Sequence, residues 1–199
     1  MKSLTQVVLV HGGDSFATSE EYLDALKNWP VTINDFKPKD DWKARLPGVL
    51  GPAFEVLAPR MPNKQNARYE EWQIWFGRLV PFIKDDVILI GHSLGGIFLA
   101  KYLAQNRLPR KIRGLALVAP PHNSTPEIGD FALLSSLQLV SDQVNKIAIF
   151  HSHDDPVVPF SESAAYQRDL PSAKIVALDG RGHLNQPEFP ELLEWISAC

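Results

Sequence analysis

The sequence predicts an α/β fold: a doubly wound, mostly parallel sheet of about six strands with helices on both faces. Short runs rich in β-branched residues alternate with longer segments of helical periodicity along the 199 residues. Most of the short runs are almost continuously apolar, which is typical of strands buried on both faces of a parallel sheet. Strands that alternate with helices imply right-handed crossovers, and these place helices on both faces of the sheet.

The predicted strands and helices follow each other in strict alternation. The strands are 6–10, 55–58, 87–90, 114–118, 146–150 and 174–178, and the helices are 19–28, 69–83, 94–106, 131–139, 161–169 and 187–197. Ser19 and Ser161 suit helix N-caps, and Pro187 suits a first helical turn. Two long connections, 28–54 and 119–130, are rich in proline, glycine and polar residues. We expect both at the rim of the sheet, where they could cover a site.

Composition and charge are those of an ordinary globular chain. Hydrophobic residues make up 45% of the sequence, charged residues 22%, and the net charge is −3 at pH 7. The length predicts a single domain, 1–199, with a sizeable core. Because no basic stripe is present, nucleic acid is not expected as a partner. No apolar run reaches the length of a membrane span, so no membrane partner is expected either.

Cysteine usage and the N-terminus bear on the compartment. Cys199 is the one cysteine, so a disulfide within the chain is impossible. This favours a reducing, cytoplasmic location. The first apolar run is short, contains Gln6 and leads directly into a glycine turn. We interpret it as a first strand rather than a signal peptide.

The stretch 87–100, VILIGHSLGGIFLA, carries the strongest chemical signal. Residues 91–95 fit G-x-S-x-G at the point where a buried strand turns into a helix. So sharp a turn strains the backbone of Ser93 and raises its hydroxyl above the sheet. Gly91 and Gly95 leave room for the strand and helix to cross, and the helix aims its first amides at the hydroxyl. The structural alternative is a glycine turn with a helix-capping serine.

A serine hydroxyl needs a base to become a nucleophile, and the base needs an orienting carboxylate. In such a sheet these groups follow in the order Ser, Asp, His, each after a later strand. His183 follows the last predicted strand, and Asp155 follows the strand before it. Asp154 is the alternative carboxylate. Asp155 is preferred because it begins D-x-x-V-P, in which the prolines stiffen the loop and the valine can anchor it.

An oxyanion site and a substrate pocket are predicted around the same serine. The backbone N–H of Leu94 directly follows the nucleophile and is the first expected donor. Gly13, in the HGGDSF segment after the first strand, is the second expected donor, and Asp14 is the next choice; Asp14 is also predicted to contact substrate. Arg60 and Met61 follow the second strand and are predicted to contact substrate. The Arg60 guanidinium suits a carboxylate, with an ordinary surface arginine as the alternative.

The remaining histidines have weaker predicted roles. His92 is expected to pack under the nucleophile turn, and His11 to hold loops by hydrogen bonds. His151 and His153, with the aspartates that follow them, resemble half of a metal site. No second cluster such as H-E-x-x-H supports that alternative, so no metal and no other cofactor is predicted.

Taken together, these motifs resemble those of α/β-hydrolases over nearly the whole sequence: VVLVHGG, GHSLGG, DDPVVP and GRGH. More closely, HGGDSF, LAPRMPN, HSHDDPVVPF and GHLNQPEFPELLEWI are similar to the small serine hydrolases related to retinoblastoma-binding protein. The resemblance implies a compact sheet without a large cap domain. It also implies esterase-like or peptidase-like activity at Ser93, Asp155 and His183. The 28–54 segment looks longer than that group has, and we expect it to form part of a lid or a contact surface.

The sequence therefore predicts a carboxylesterase-like serine hydrolase. Its substrate would be a small acyl compound, an ester, thioester or amide, cleaved through an acyl-enzyme intermediate without metal or cofactor. A protein partner is not indicated. The alternative is a non-catalytic binding or regulatory protein on the same fold, which presents 28–54 to a partner, because a fold does not fix a function.

Overall fold

One parallel sheet organises the chain, as the sequence predicts. The computed structural model describes residues 4–123, 125, 128–133 and 136–199. The strands are β1 (Thr5–Val10), β2 (Phe54–Leu57), β3 (Val87–His92), β4 (Ile112–Val118), β5 (Val144–Ser152) and β6 (Lys174–Leu178). Their order is β2-β1-β3-β4-β5-β6, and every neighbouring pair is parallel. The predicted fold class is confirmed.

Seven α-helices connect or flank these strands in the described part of the chain. They are α1 (Ser19–Asn28), α2 (Trp42–Leu50), α3 (Tyr69–Leu79), α4 (Leu94–Gln105), α5 (Gln138–Gln143), α6 (Ser161–Asp169) and α7 (Pro190–Ala198). Short 3-10 helices lie at Ile33–Phe36, Gly51–Ala53, Val80–Phe82 and Gly129–Phe131. Across the described ranges, no helix combines the length and the apolar character that a bilayer crossing requires.

Helix α2 lies inside the 28–54 connection, which the sequence suggests is irregular. The prolines and glycines of that segment are typical of a loop, so the sequence does not indicate a helix. Pro47 lies within the helix, where proline removes a backbone donor. Two contacts outweigh this cost. The Asp41 side chain caps the helix by accepting from the Ala44 amide, and Trp42 and Leu46 bury one side against the sheet.

The predicted helix at 131–139 is wrong in its position. The structure has a 3-10 turn at Gly129–Phe131, and α5 begins only at Gln138; residues 134 and 135 lie outside the described residues. The physical reason is a competing hydrogen-bond partner. The Asn123 side chain accepts from the Leu133 amide and donates to the Leu133 carbonyl, each at 2.7 Å, so both groups are withheld from a helix.

The predicted N-caps of α1 and α6 and the predicted start of α7 need correction. Thr18, not Ser19, caps α1, because its hydroxyl accepts from the Glu21 amide in a capping box. The residue before α6 is Phe160, whose side chain makes no cap. Helix α7 begins at Pro190 rather than at residue 187, with that proline in the first turn.

Alternation along the strands divides the core into two hydrophobic clusters. Val8 and Val10 of β1 face the cluster that holds the buried residues of α3, α4, α5 and α6. Val7 and Leu9 face the other side, with the buried residues of α2 and α7. This is the two-residue period of a strand, with helices covering both faces.

The strand order creates a crevice between β1 and β3. The chain leaves β1 towards β2 at the edge, then crosses back to β3 on the other side of β1. Ligands of open α/β sheets bind at such a reversal, beyond the carboxyl ends of the strands. The residues that follow β1 and β3 are residues 11–13 and Ser93, so the fold brings the HGG turn and the G-x-S-x-G turn to one place.

Candidate active site

Ser93 occupies a strained turn between β3 and α4. Its backbone has φ 54° and ψ −124°, in the left-handed half of conformational space that serine rarely enters. Two hydrogen bonds hold the turn: the Ser93 amide donates to the Val118 carbonyl at 2.8 Å, and the Gly96 amide donates to the Ser93 carbonyl at 2.7 Å. Such strain persists only where the surroundings enforce it, and it sets a side chain at a functional position.

The glycines around Ser93 are required by close backbone contacts. A Cβ atom on Gly91 would lie 2.4 Å from the Gly95 carbonyl oxygen. A Cβ atom on Gly95 would lie 2.4 Å from the Val10 carbonyl oxygen. Both separations are far inside van der Waals contact. The turn therefore passes against β1 at a distance that only glycine allows.

The HGG turn after β1 lies directly beside the serine. A Cβ atom on Gly12 would lie 2.9 Å from the Ser93 Cβ atom, and one on Gly13 would lie 2.4 Å from the Lys64 carbonyl oxygen. Within the described residues, the Gly13 and Leu94 amides donate no hydrogen bond to the protein. The Leu94 N–H directly follows Ser93 at the N-terminus of α4, and Gly13 follows Gly12, which lies beside Ser93. Unengaged amides in such positions suit a developing negative charge.

His11 ties this turn to the loop after β2. The Met61 amide donates to its Nε2 atom at 2.9 Å, so the Nδ1 atom carries the proton and donates to the Gly12 carbonyl at 2.7 Å. Burial is the main cause of a lowered pKa for His11, which keeps the ring neutral. The prediction that His11 holds loops by hydrogen bonds is confirmed.

Asp155 and His183 form a close pair after β5 and β6. The His183 Nδ1 atom lies 2.8 Å from Oδ2 and 3.1 Å from Oδ1 of Asp155. Because a carboxylate only accepts, Nδ1 carries the proton, and the lone pair on Nε2 is left for proton transfer. The Asp155 side chain is fully buried, while that of His183 is 12% exposed. This burial pattern is that of an orienting acid behind an accessible base.

The surroundings of Asp155 keep it ionised. Burial alone raises the pKa of its carboxyl group, but hydrogen bonds with the His151 and His183 rings and with the Val158 amide outweigh that effect, and the net shift is downward. The Val157 and Val158 amides donate to Oδ1 at 2.8 Å and 3.0 Å. A fixed negative charge therefore faces His183.

Asp154 has a different partner set from Asp155. It accepts from the Ser152 hydroxyl and from the Arg181 and Gly182 amides, the last two at 3.2 Å and 3.3 Å. The Ser152 bond is the main cause of a lowered pKa for Asp154. Asp154 thus supports the turn just before His183, while Asp155 binds the imidazole itself.

His92 packs beneath the nucleophile turn, and this prediction is confirmed. Its Nε2–H donates to the His183 carbonyl at 3.0 Å, and the two rings lie 5.0 Å apart between centroids. Complete burial is the main cause of a pKa well below the usual histidine value, so the ring is neutral. His92 precedes Ser93 in the chain, so this hydrogen bond joins the backbone of His183 to the Ser93 turn.

The serine and the proposed base are brought to one region, without direct contact between their reacting atoms. Within the described residues, no hydrogen bond joins Ser93 Oγ to the ring of His183. Catalytic hydrogen bonds are often long in the absence of substrate and tighten in the complex.

The two histidines of the half metal site have separate sets of partners, although His151 Nε2 also lies 3.5 Å from Asp155 Oδ2. The His151 ring is fully buried, with Nδ1 at 2.8 Å from the Ser163 hydroxyl and Nε2 at 2.9 Å from the Val158 carbonyl. His153 lies at the surface beside Asp179, with 2.8 Å between Nδ1 and Oδ1. Across the described ranges, no group of three or more metal-ligating side chains is arranged around one point.

The three predicted substrate contacts have different surroundings. Arg60 is exposed. Asp14 is also exposed; its amide donates to the Lys64 carbonyl and its carbonyl accepts from the Ala67 amide, both at 2.8 Å. The Met61 side chain is 4% exposed and packs in the core. Its backbone amide binds the His11 ring.

Two cavities adjoin the region without being lined by Ser93, Asp155 or His183. One, of about 260 Å³, is mostly apolar and lies between α2 and the segment 187–193. The other, of about 380 Å³, is polar and lies between α1 and the segment 63–71. The second includes Lys64, whose carbonyl meets the HGG turn.

Comparisons with known proteins identify the family of the chain. A family model described as serine hydrolase matches residues 36–194. The chain belongs to the serine hydrolase family. Serine hydrolase RBBP9 of Rattus norvegicus is 27% identical over 161 residues, which cover 74% of this chain and 78% of the relative. The putative hydrolase YdeN of Bacillus subtilis is 26% identical over 148 residues, which cover 72% of this chain and 78% of the relative.

Solved structures share the fold of this serine hydrolase. The B. subtilis ydeN gene product superposes with a TM-score of 0.78 at 21% identity, over 98% of this chain and 97% of that one. An α/β-hydrolase enzyme from a lagoon-sediment metagenome gives 0.58 at 20% identity, over 98% and 92%. The protein is therefore a hydrolase with an α/β-hydrolase fold, and no large cap is evident in the described part of the chain.

Proposed function

We propose that this serine hydrolase cleaves small ester, thioester or amide bonds by two-step acyl transfer, with Ser93 as nucleophile, His183 as base and Asp155 as the orienting acid. One observation carries the proposal: the His183 Nδ1 atom lies 2.8 Å from a buried carboxylate, beside a strained serine turn. The activity is carboxylesterase-like, and a small acyl compound is the substrate.

The first step forms the acyl-enzyme. His183 Nε2 takes the proton of Ser93 Oγ as that oxygen forms a bond to the substrate carbonyl carbon. The carbonyl π electrons move onto oxygen, where the Leu94 and Gly13 amides stabilise the negative charge. Asp155 stabilises the imidazolium. The intermediate then collapses: the bond to the leaving group breaks, and His183 returns the proton to that group.

Water completes the cycle by the same path. His183 takes a proton from water, and the resulting oxygen nucleophile attacks the acyl carbon. Collapse releases the acid and restores the Ser93 hydroxyl with the proton that His183 held. Each step uses groups of this chain. Arg60, Asp14 and Met61 are proposed to contact the substrate; Arg60 and Asp14 are exposed, and the Met61 amide binds the His11 ring.

A fluorophosphonate probe tests the proposal, because it bonds covalently to activated serines. We expect the wild-type chain to be labelled and Ser93→Ala to remain unlabelled. Ser161→Ala is the matched control: Ser161 is exposed at the start of α6 and should leave labelling unchanged. Labelling that persists in Ser93→Ala, or a folded wild-type chain that takes up no probe, would contradict the proposal.

A second candidate function is binding to a protein partner. It is favoured by the exposed apolar side chains of α1 and of the segment 29–36. Helix α1 buries none of its residues. Beyond it, Ile33 is 72% exposed and Phe36 is 74% exposed, and Trp29 and Val31 are exposed as well. Clustered apolar side chains on a surface often mark a contact site. A folded chain that resists the probe would favour this second function.

A further inference from the structure

The first turn of α2 binds the three residues that directly follow His183. The Trp42 indole N–H donates to the Leu184 carbonyl at 2.8 Å. The Trp42 amide donates to the Gln186 carbonyl at 2.8 Å. The Lys43 ammonium donates to the Asn185 side-chain oxygen at 2.9 Å. Two successive residues of α2 therefore hold three successive residues of the loop, across about 140 positions of sequence.

That loop has a backbone conformation that needs support from outside as well as from its own Leu184–Arg181 hydrogen bond. Gly180, Gly182 and Leu184 have φ values of 67°, 49° and 52°, so three of five residues are in the left-handed region. Leucine rarely adopts this conformation, which persists only when tertiary contacts enforce it. The position of His183, between the last two of these residues, consequently depends on what the loop is bound to.

Trp42 is itself fixed on several sides. It is 3% exposed, and its ring meets the rings of His92 and Phe189 edge-on, with centroids 6.1 Å and 5.5 Å away. The direction of its N–H bond is therefore set by packing rather than by the loop. His92, on its other side, donates to the His183 carbonyl at 3.0 Å.

We propose that Trp42 is a positioning residue for the base of the proposed acyl transfer. It holds the Leu184 carbonyl, and through it the His183 backbone, at the place where the imidazole binds Asp155 in the same region as Ser93. This inference rests on the proposed function. Trp42 lies behind His92 and acts through the loop, without contact with the substrate. The long 28–54 segment thus supplies part of the catalytic geometry.

Trp42→Phe removes the indole N–H and retains an aromatic ring. With p-nitrophenyl acetate we expect kcat to fall about tenfold while KM stays close to wild type, because one oriented hydrogen bond at the base is lost. Leu46→Ala is the matched control. Leu46 is also buried on α2 but makes no hydrogen bond to the loop, so this variant should unfold more easily and keep its kcat.

A second variant and a second readout cover the case in which Trp42→Phe folds poorly. Asn185→Ala removes only the exposed bond to Lys43 and should lower kcat about twofold. The low-field NMR signal of the His183 Nδ1 proton reports the bond to Asp155 directly. We expect it to broaden or shift in Trp42→Phe and to remain unchanged in Leu46→Ala.

The outcomes separate this inference from the function on which it rests. A wild-type chain without turnover or probe labelling would overturn the proposed function. An active wild type whose Trp42→Phe variant keeps its kcat, or loses no more of it than Leu46→Ala does, would overturn the positioning role alone. An unchanged Nδ1 proton signal in Trp42→Phe would also overturn it, whatever the activity.

Discussion

His11 is partly buried and His92 is buried, and both rings are neutral, which couples the stability of the protein to pH. Burial is the main cause that lowers the pKa of each below the ordinary value of 6.5. In the unfolded chain the same rings take up protons near that pH. Below pH 6.5 the unfolded state therefore binds more protons than the folded state, and the free energy of unfolding falls as the pH falls.

His92→Gln tests this coupling and keeps a side-chain N–H for the His183 carbonyl. Each buried neutral histidine contributes a slope of up to about 1.4 kcal/mol per pH unit below pH 6.5. Urea denaturation at several pH values between about 7.5 and about 5 measures the free energy of unfolding. Its dependence on pH should be shallower in His92→Gln than in wild type. His153→Gln, at an exposed position, is the control. Equal slopes in His92→Gln and wild type would contradict the assignment.

The two aspartates offer a sharper test of the charge at the site. Asp155→Asn should lower kcat by about 10³- to 10⁴-fold, because the amide neither stabilises the imidazolium nor fixes the required tautomer. Asp154→Asn keeps the Asp155 carboxylate and should lose far less. Steady-state turnover of p-nitrophenyl acetate measures both. The assignment would be wrong if Asp154→Asn were the more damaging change.

Some functional residues can be predicted from the sequence and others cannot. Ser93, Asp155 and His183 could be proposed because each follows a predicted strand, and the chain order of an α/β-hydrolase site assigns their types. Trp42 could not be found in this way. Its partner is a backbone carbonyl 142 residues away, and no sequence pattern records such a bond.

At the scale of elements, the crossing of α4 over β1 depends on the absence of a side chain at residue 95. Gly95→Ala would place a Cβ atom 2.4 Å from the Val10 carbonyl oxygen and 2.6 Å from that of His11. We expect a loss of about 3 kcal/mol in the free energy of unfolding. Gly77→Ala in α3 is the matched control, since nothing lies within 4 Å of its Cβ position. It should gain up to about 1 kcal/mol, because alanine favours helix.

Urea denaturation of the two alanine variants measures both changes in the free energy of unfolding, the expected loss and the expected gain. A stable Gly95→Ala would mean that α4 and β1 are not in close contact. A destabilised Gly77→Ala would mean that the α3 backbone is not a regular helix there.

Elements with strong local signals could be predicted, and those set by distant contacts could not. The bounds of β6, α1 and α6 match the prediction, because their patterns begin and end clearly. Helix α2 was missed since Pro47 and its neighbours resemble a loop, while the burial of Trp42 and Leu46 against the sheet decides otherwise. Helix α5 was displaced because the Asn123 side chain binds the backbone of Leu133.

At the scale of the whole molecule, strand order determines where chemistry takes place. The reversal between β1 and β3 brings the HGG turn to Ser93, and the loops after β5 and β6 bring Asp155 to His183. The fold is shared with structures that have about a fifth of their residues in common with this chain. In this chain the fold depends on apolar strands that alternate with helices and on a few glycines in close backbone contact.

The central claim is that the Ser93 hydroxyl is the group that becomes covalently bonded to substrate. Mass spectrometry of proteolytic fragments, after reaction of the whole chain with a fluorophosphonate, tests this most directly. We expect one adduct per chain, on Ser93, and none in His183→Ala under the same conditions. An adduct on another residue, or equal modification of His183→Ala, would contradict it.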